Sequence, residues 1–101
     1  MDRFQPASSI ELVRRTVLDA LADEDVRVLF FGSRARGDAR RASDIDVALA
    51  PRKALHPGVL AGLRERLDEL RIPYPVDLVM LDEVSMAFRD HVVLEGIPWR
   101  S

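Results

Sequence analysis

The sequence predicts an α/β (α+β) fold, a small mixed β-sheet of about three to four strands flanked by helices. Two observations carry this expectation. Short β-branched or aromatic runs, Val26 to Phe31, Ile45 to Ala50 and Val76 to Leu81, end at a glycine, a proline or an acidic residue. Around and between them, apolar residues recur every three or four positions, the period of a helix. With 101 residues, the chain is expected to form one domain, 1–101, large enough to bury a core without staples.

The elements follow in order. Ser8 and Glu11 have capping-box spacing, and Ile10, Val13, Val17, Leu18 and Leu21 share one stripe, so a first helix is expected from Ser9 to Ala22. The acidic turn Asp23-Glu24-Asp25 breaks it. VRVLFF then reads as a buried strand closed by Gly32, and the second strand stops at Pro51, which cannot donate to a ladder. Pro57 suits a first helical turn, and Leu60, Leu63, Leu67 and Leu70 mark a helix reaching Arg71. Pro73 and Pro75 make a stiff connection to the third strand, VDLVML. Asp82 is expected to cap a last helix with Val84, Ala87, Phe88, His91 and Val92 inward, ending at Gly96 as a left-handed terminator. The tail Ile97-Pro98-Trp99 could touch a partner, although folding of Trp99 onto the chain's own core is the commoner fate.

Composition excludes several classes. There is no cysteine, hence no disulfide framework, thiolate metal site or cysteine nucleophile, and a reducing compartment suits the chain. Two histidines, His56 and His91, leave little for zinc and read as a helix-start residue and a half-buried one. No apolar run approaches the ~20 residues that span a bilayer, and the first twenty residues carry no signal-like apolar stretch, so a cytoplasmic protein without membrane contact is expected. A net charge of −2 argues against a general nucleic-acid binder. Arg64, Glu65, Arg66, Asp68 and Glu69 read as a solvated helix face, and Met80, Met86 and the leucine stripe as core or partner surface.

The chemistry concentrates between Gly32 and Val47. Asp44 and Asp46 sit two apart at the start of a strand, which puts both carboxylates on one face while Ile45, Val47 and Leu49 face the core. Two carboxylates so close repel unless a cation lies between them. A hard divalent ion such as Mg²⁺ resolves the conflict with oxygen ligands alone. Asp77, isolated in an apolar strand, is a third candidate; the plainer alternative is a strand-end carboxylate bonded to a loop. Asp77 meets Asp44 only if strands two and three run parallel, joined by the helix from Pro57, and strand one must then run antiparallel to both. Gly32-Ser33 after a buried strand can form a turn that admits a phosphate to the backbone. Arg34, Arg36, Arg40 and Arg41 lie nearby with the forked donors that suit phosphate, or else form a solvated loop paired with aspartates.

Gly32-Ser33, ten residues, then Asp44-Ile45-Asp46, followed by Asp77, resembles the nucleotidyltransferase domain of the polymerase beta superfamily. The strings Gly-Ser-Arg-Ala-Arg-Gly and Ser-Asp-Ile-Asp-Val-Ala-Leu resemble its minimal nucleotidyltransferases, and the resemblance covers nearly the whole chain. It implies a polymerase beta-like fold in which Asp44 and Asp46 hold two Mg²⁺ ions on ATP and Asp77 holds the metal nearer the acceptor. Gly32 and Ser33 would then hold the β- and γ-phosphates, with Arg36 and Arg34 offsetting charge.

Minimal members of the superfamily are commonly paired with a small helical HEPN ribonuclease in toxin-antitoxin systems. There the nucleotidyltransferase is the antitoxin and transfers AMP to a tyrosine of the toxin. The resemblance therefore implies a protein adenylyltransferase with a HEPN partner in a hetero-oligomer. The alternative is a module that neutralises its partner by binding alone, with nucleotide sensing only. Transfer to a small molecule is weaker, since such enzymes usually carry an added domain, and a nucleic-acid acceptor weaker still.

Overall fold

A computed structural model describes residues 5–40 and 43–101. The chain runs α1 (Pro6–Ala20), β1 (Val26–Phe31), α2 (Ser33–Arg36), β2 (Ile45–Pro51), α3 (Val59–Asp68), β3 (Val76–Met80), α4 (Met86–Glu95) and β4 (Ile97–Arg100). The four strands form one sheet in the order β3-β2-β1-β4. β1 is antiparallel to β2 and to β4, and β2 is parallel to β3. The mixed sheet and the direction of its first three strands thus match what the carboxylate argument required.

Period-two alternation gives the sheet two apolar faces of unequal size. Val26, Val28 and Phe30 of β1, Ile45, Val47 and Leu49 of β2, and Leu78 of β3 form the main core with Val13, Val17 and Leu21 below α1 and Leu63 and Leu67 of α3. Burying each such side chain contributes about 1.5–3 kcal/mol, so this layer holds most of the stability. The opposite face is thinner: Leu29 and Ala48, with Leu81 and Val92, and Phe31, Ala50, Val79 and Val84 around them. That second face bears the candidate carboxylates, because Asp46 and Asp77 lie two residues from Ala48 and Val79 on the same strands.

Several boundaries differ from the sequence reading. α1 starts at Pro6, not Ser9, because proline is pre-set for the first turn where its missing N–H costs nothing. Ser8 and Ser9 are consequently buried inside the helix, and Glu11 leaves the capping box to accept hydrogen bonds from Arg14 and Arg15. α3 starts at Val59, after a left-handed Gly58 that follows Pro57. α4 is capped by the Ser85 hydroxyl, which accepts the Phe88 N–H at 3.2 Å, rather than by Asp82.

α4 also departs in orientation. Of its residues only Val92 is buried; Ala87, Phe88 and His91 are exposed, and His91 pairs with Glu95 at 3.2 Å. A helix lying on the thin face has one ridge to bury, not two. Gly96 has φ −70° and ψ 152°, an extended rather than a left-handed residue, and its N–H bonds the Val92 carbonyl at 2.7 Å. The tail continues as β4, an edge strand where Pro98 is tolerated. Trp99 turns inward and stacks on Phe30, ring centroids 5.1 Å apart. The Arg100 guanidinium donates to the Leu21 carbonyl at 2.6 Å, satisfying the end of α1.

Candidate active site

The three aspartates enter the site from the same end of the sheet. Asp44 immediately precedes β2, Asp46 is its second residue, and Asp77 is the second residue of β3. Parallel pairing sets Asp46 directly beside Asp77, while antiparallel pairing sets Asp46 beside Phe31, the last residue of β1. The turn after β1 therefore opens onto the carboxylates. Asp44 and Asp77 are exposed and Asp46 is half-buried.

Gly32 is the hinge of this arrangement. Its φ of 83° and ψ of −167° lie in a region open essentially to glycine alone. A Cβ there would collide with the Asp46 carboxylate, whose Cγ would stand 3.0 Å from it. The missing side chain thus makes room for Asp46 against the backbone. Ser33 opens the one-turn helix α2, with the Arg36 N–H bonded to the Gly32 carbonyl at 3.1 Å. Gly32, not Ser33, is the N-cap of α2.

Electrostatics mark Asp46 out. Burial, then the negative charges of Asp77 and Asp44, push its carboxyl up to about 6 from an ordinary 3.8, with Arg36 opposing the rise. Arg36 is exposed and pairs with Asp38 at 3.4 Å. Arg34 turns towards the polypeptide: its Nε donates to the Ser43 carbonyl at 2.9 Å, its Nη2 reaches the Arg40 carbonyl at 3.5 Å, and its guanidinium carbon lies 4.4 Å from the Tyr74 ring centroid. Arg40 is exposed and its backbone N–H donates to the Ser43 hydroxyl at 2.8 Å. Arg41 lies outside the described residues.

Among the described residues, no three acidic or histidine side chains converge into a ready-made metal cage. Mg²⁺ asks for less, taking one or two carboxylates together with substrate phosphates and water. A carboxylate whose proton affinity is raised by burial and by its acidic neighbours suits such a cation, because the ion neutralises the half-buried charge and the repulsion that the proton otherwise relieves. The donor set fits the metal that the sequence implied.

Two contributors were missed in the sequence. Tyr74 supplies the ring under Arg34, and Ser43 the carbonyl it bonds; only its place between Pro73 and Pro75 distinguished Tyr74. Phe88 of α4 meets Phe31 edge-on at 6.0 Å, which brings the start of α4 close to the β1 end of the site. His56, read as a helix-start residue, bonds the buried Glu24 instead, through its N–H at 2.9 Å and its Nδ1 at 2.7 Å, and takes no part in the site.

The family model described as Polymerase beta, Nucleotidyltransferase matches residues 19–98. The chain is similar to "Probable protein adenylyltransferase MntA" of Haemophilus influenzae, 34% identical over 76 residues, which are 75% of this chain and 66% of that protein. It thus spans just under two thirds of that relative. A solved structure of a candidate minimal nucleotidyltransferase superposes with a TM-score of 0.74 at 30% identity, covering 96% of this chain and 99% of the other. A toxin-antitoxin complex with AMP-PNP superposes with a TM-score of 0.67 at 26% identity, covering 87% of this chain and 73% of the other. Together with the Gly32-Ser33 turn and the in-register aspartates, these matches show that the chain belongs to the polymerase beta nucleotidyltransferase family, as a minimal nucleotidyltransferase.

Proposed function

We propose that the protein is a Mg²⁺-dependent adenylyltransferase, the antitoxin of a HEPN toxin-antitoxin pair in the cytoplasm, which moves AMP from ATP to a tyrosine of its partner within a hetero-oligomer. The observation that carries the reading is the pairing of Asp46 with Asp77 beside the Gly32-Ser33 turn. The similarity to MntA and to a toxin-antitoxin complex supports the partner class.

In this reading, Asp44, Asp46 and Asp77 would hold Mg²⁺ together with the triphosphate, Asp77 on the side of the acceptor. The ions supply positive charge for the attacking and leaving oxygens of an in-line displacement. Gly32 and Ser33 seat the β- and γ-phosphates against the backbone, and Arg36 offsets their charge. The acceptor oxygen forms a bond to the α-phosphorus, the bond to the β-phosphate oxygen breaks, and pyrophosphate departs. Asp77, the more exposed of the pair, would receive the hydroxyl proton, a role that its exposure supports.

The test is direct. Incubated with ATP, Mg²⁺ and its HEPN partner, the protein is expected to add mass to the partner in units of AMP. An unmodified partner, under conditions where ATP binds, would sink the proposal. A second reading, neutralisation by binding alone, is favoured by the apolar side chains left on α4: Met86 is 79% exposed and Leu94 85%. The double variant Asp44→Ala, Asp46→Ala separates the two. Loss of protection from the toxin would mean that catalysis is needed; full protection would mean that occlusion is enough.

A further inference from the structure

Arg34, Ser43, Asp44, Ile45, Pro75 and Tyr74 form a closed circuit around the entrance to β2. The Arg34 Nε bonds the carbonyl of Ser43, which belongs to the peptide unit leading directly into Asp44. The next N–H, that of Ile45, donates to the Pro75 carbonyl at 2.9 Å. Tyr74, one residue before Pro75, returns the circuit to Arg34 by lying under its guanidinium. Ser43 is tied to Arg40 as well: its N–H donates to the Arg40 carbonyl at 3.0 Å and its hydroxyl accepts the Arg40 N–H at 2.8 Å. Arg34 thereby touches all three segments that bear the site: α2 behind the Gly32-Ser33 turn, the loop before Asp44, and the segment three residues before Asp77.

We propose that Arg34 is a positioning residue, a cross-brace that fixes Asp44 relative to the phosphate turn and to β3, rather than a ligand of the phosphates. The role suits arginine in particular. A planar guanidinium can donate in its plane to two carbonyls while its face rests on an aromatic ring. Lysine has no such plane, and its ammonium cannot do both. Asp44 needs the help because it precedes the first ladder residue of β2 and is exposed, so neither sheet pairing nor packing holds its backbone. The proposal rests on the reading of the aspartates as the catalytic set.

The experiment compares Arg34→Lys, Arg34→Met, Tyr74→Leu, Tyr74→Phe and the double variant Arg34→Met, Tyr74→Leu. Leucine keeps the apolar bulk of Tyr74 on the core but removes the aromatic face and the hydroxyl, and Tyr74→Phe tells the two apart. Two readouts are taken: nucleotidyl transfer to the partner, and hydrogen exchange at the Ile45 amide in the nucleotide-free protein. A brace predicts that Arg34→Lys, Arg34→Met and Tyr74→Leu each lower kcat/KM by about ten- to a hundredfold, the scale of a small misplacement of a catalytic group. The same three accelerate exchange at Ile45, Tyr74→Phe, which keeps the aromatic face, retains more activity and slower exchange than Tyr74→Leu, and the double variant is no worse than the worse single one. A phosphate ligand predicts otherwise: Arg34→Lys retains most activity, Arg34→Met raises the KM for ATP, and Tyr74→Leu changes neither readout. That pattern overturns the proposal, as does unchanged Ile45 exchange in both Arg34 variants. If the parent protein transfers no nucleotide, the functional reading fails, while the exchange measurement still decides whether the brace exists.

Discussion

Asp46 and Asp77 stand side by side on β2 and β3, second residue against second residue of two parallel strands. Parallel pairing keeps them abreast, and the α3 crossover makes the pairing parallel. The cost is electrostatic: with Asp44 close by, the half-buried Asp46 carboxyl is held at about 6, against an ordinary 3.8.

That displacement predicts a pH signature in the metal-free protein. A carboxyl that holds its proton more tightly in the fold contributes stability below about 3.8, which is lost as the pH rises through about 6. Asp46→Asn removes the charge permanently. The variant is expected to melt above the parent at about pH 8 and to lose that advantage at about pH 4, where the parent is already protonated. Thermal denaturation at the two pH values, in the presence of a chelator, checks it. An advantage equal at both would disprove the electrostatic account. The same variant should transfer no nucleotide.

Gly32 and Gly37 form a matched pair. Both have φ of 83°, but a Cβ on Gly32 runs into Asp46, whereas a Cβ on Gly37 meets nothing within 4 Å. Gly37→Ala is expected to cost only the left-handed backbone penalty, about 1–2 kcal/mol, and to keep activity below its melting temperature. Gly32→Ala adds displacement of the Asp46 carboxylate and should abolish transfer even where the protein remains folded. Equal activity in the two variants would refute the role given to Gly32.

What the sequence made legible follows from the range of the interactions. The strands β1 to β3 could be read because each is a dense apolar run, and their directions because three carboxylates had to reach one end. Asp44 and Asp46 share a face by period two alone. On α4, Val92 is buried as its spacing predicts, but Ala87, Phe88 and His91 share that spacing and are exposed, because the thin face of the sheet has room for one buried ridge. β4 was read as a tail because four residues with an internal proline carry little strand signal. The contact of Arg34 with Tyr74 spans forty residues, and no local pattern could announce it.

β4 supplies a test of stability without chemistry. Trp99 lies on the edge strand and stacks on Phe30, on the far side of β1 from the aspartates. Trp99→Ala is expected to destabilise by about 2 kcal/mol, below the usual cost of truncating a fully buried aromatic because the ring is partly exposed. Urea denaturation measures this. Transfer activity at low temperature should be unaffected, and its loss would mean that β4 contributes to the site.

Arg36 allows the charge balance to be tested from the other side. Its positive charge opposes the rise at Asp46, so removing it must raise the Asp46 pKa further. Arg36→Gln is expected to shift the acid limb of the pH-rate profile to higher pH, since a proton on Asp46 competes with the cation that the carboxylate must hold. Arg36→Lys preserves the charge and should leave the limb near its original place. Folding stability should barely change, because the Arg36 pair with Asp38 is exposed and such pairs contribute about 0–1 kcal/mol. Added salt should narrow the gap between Arg36→Gln and the parent, as screening weakens the interaction that the substitution removes. An acid limb that stays in place in Arg36→Gln would show that the guanidinium does not act on Asp46, and its effect on transfer would then have to come from contact with the phosphates alone.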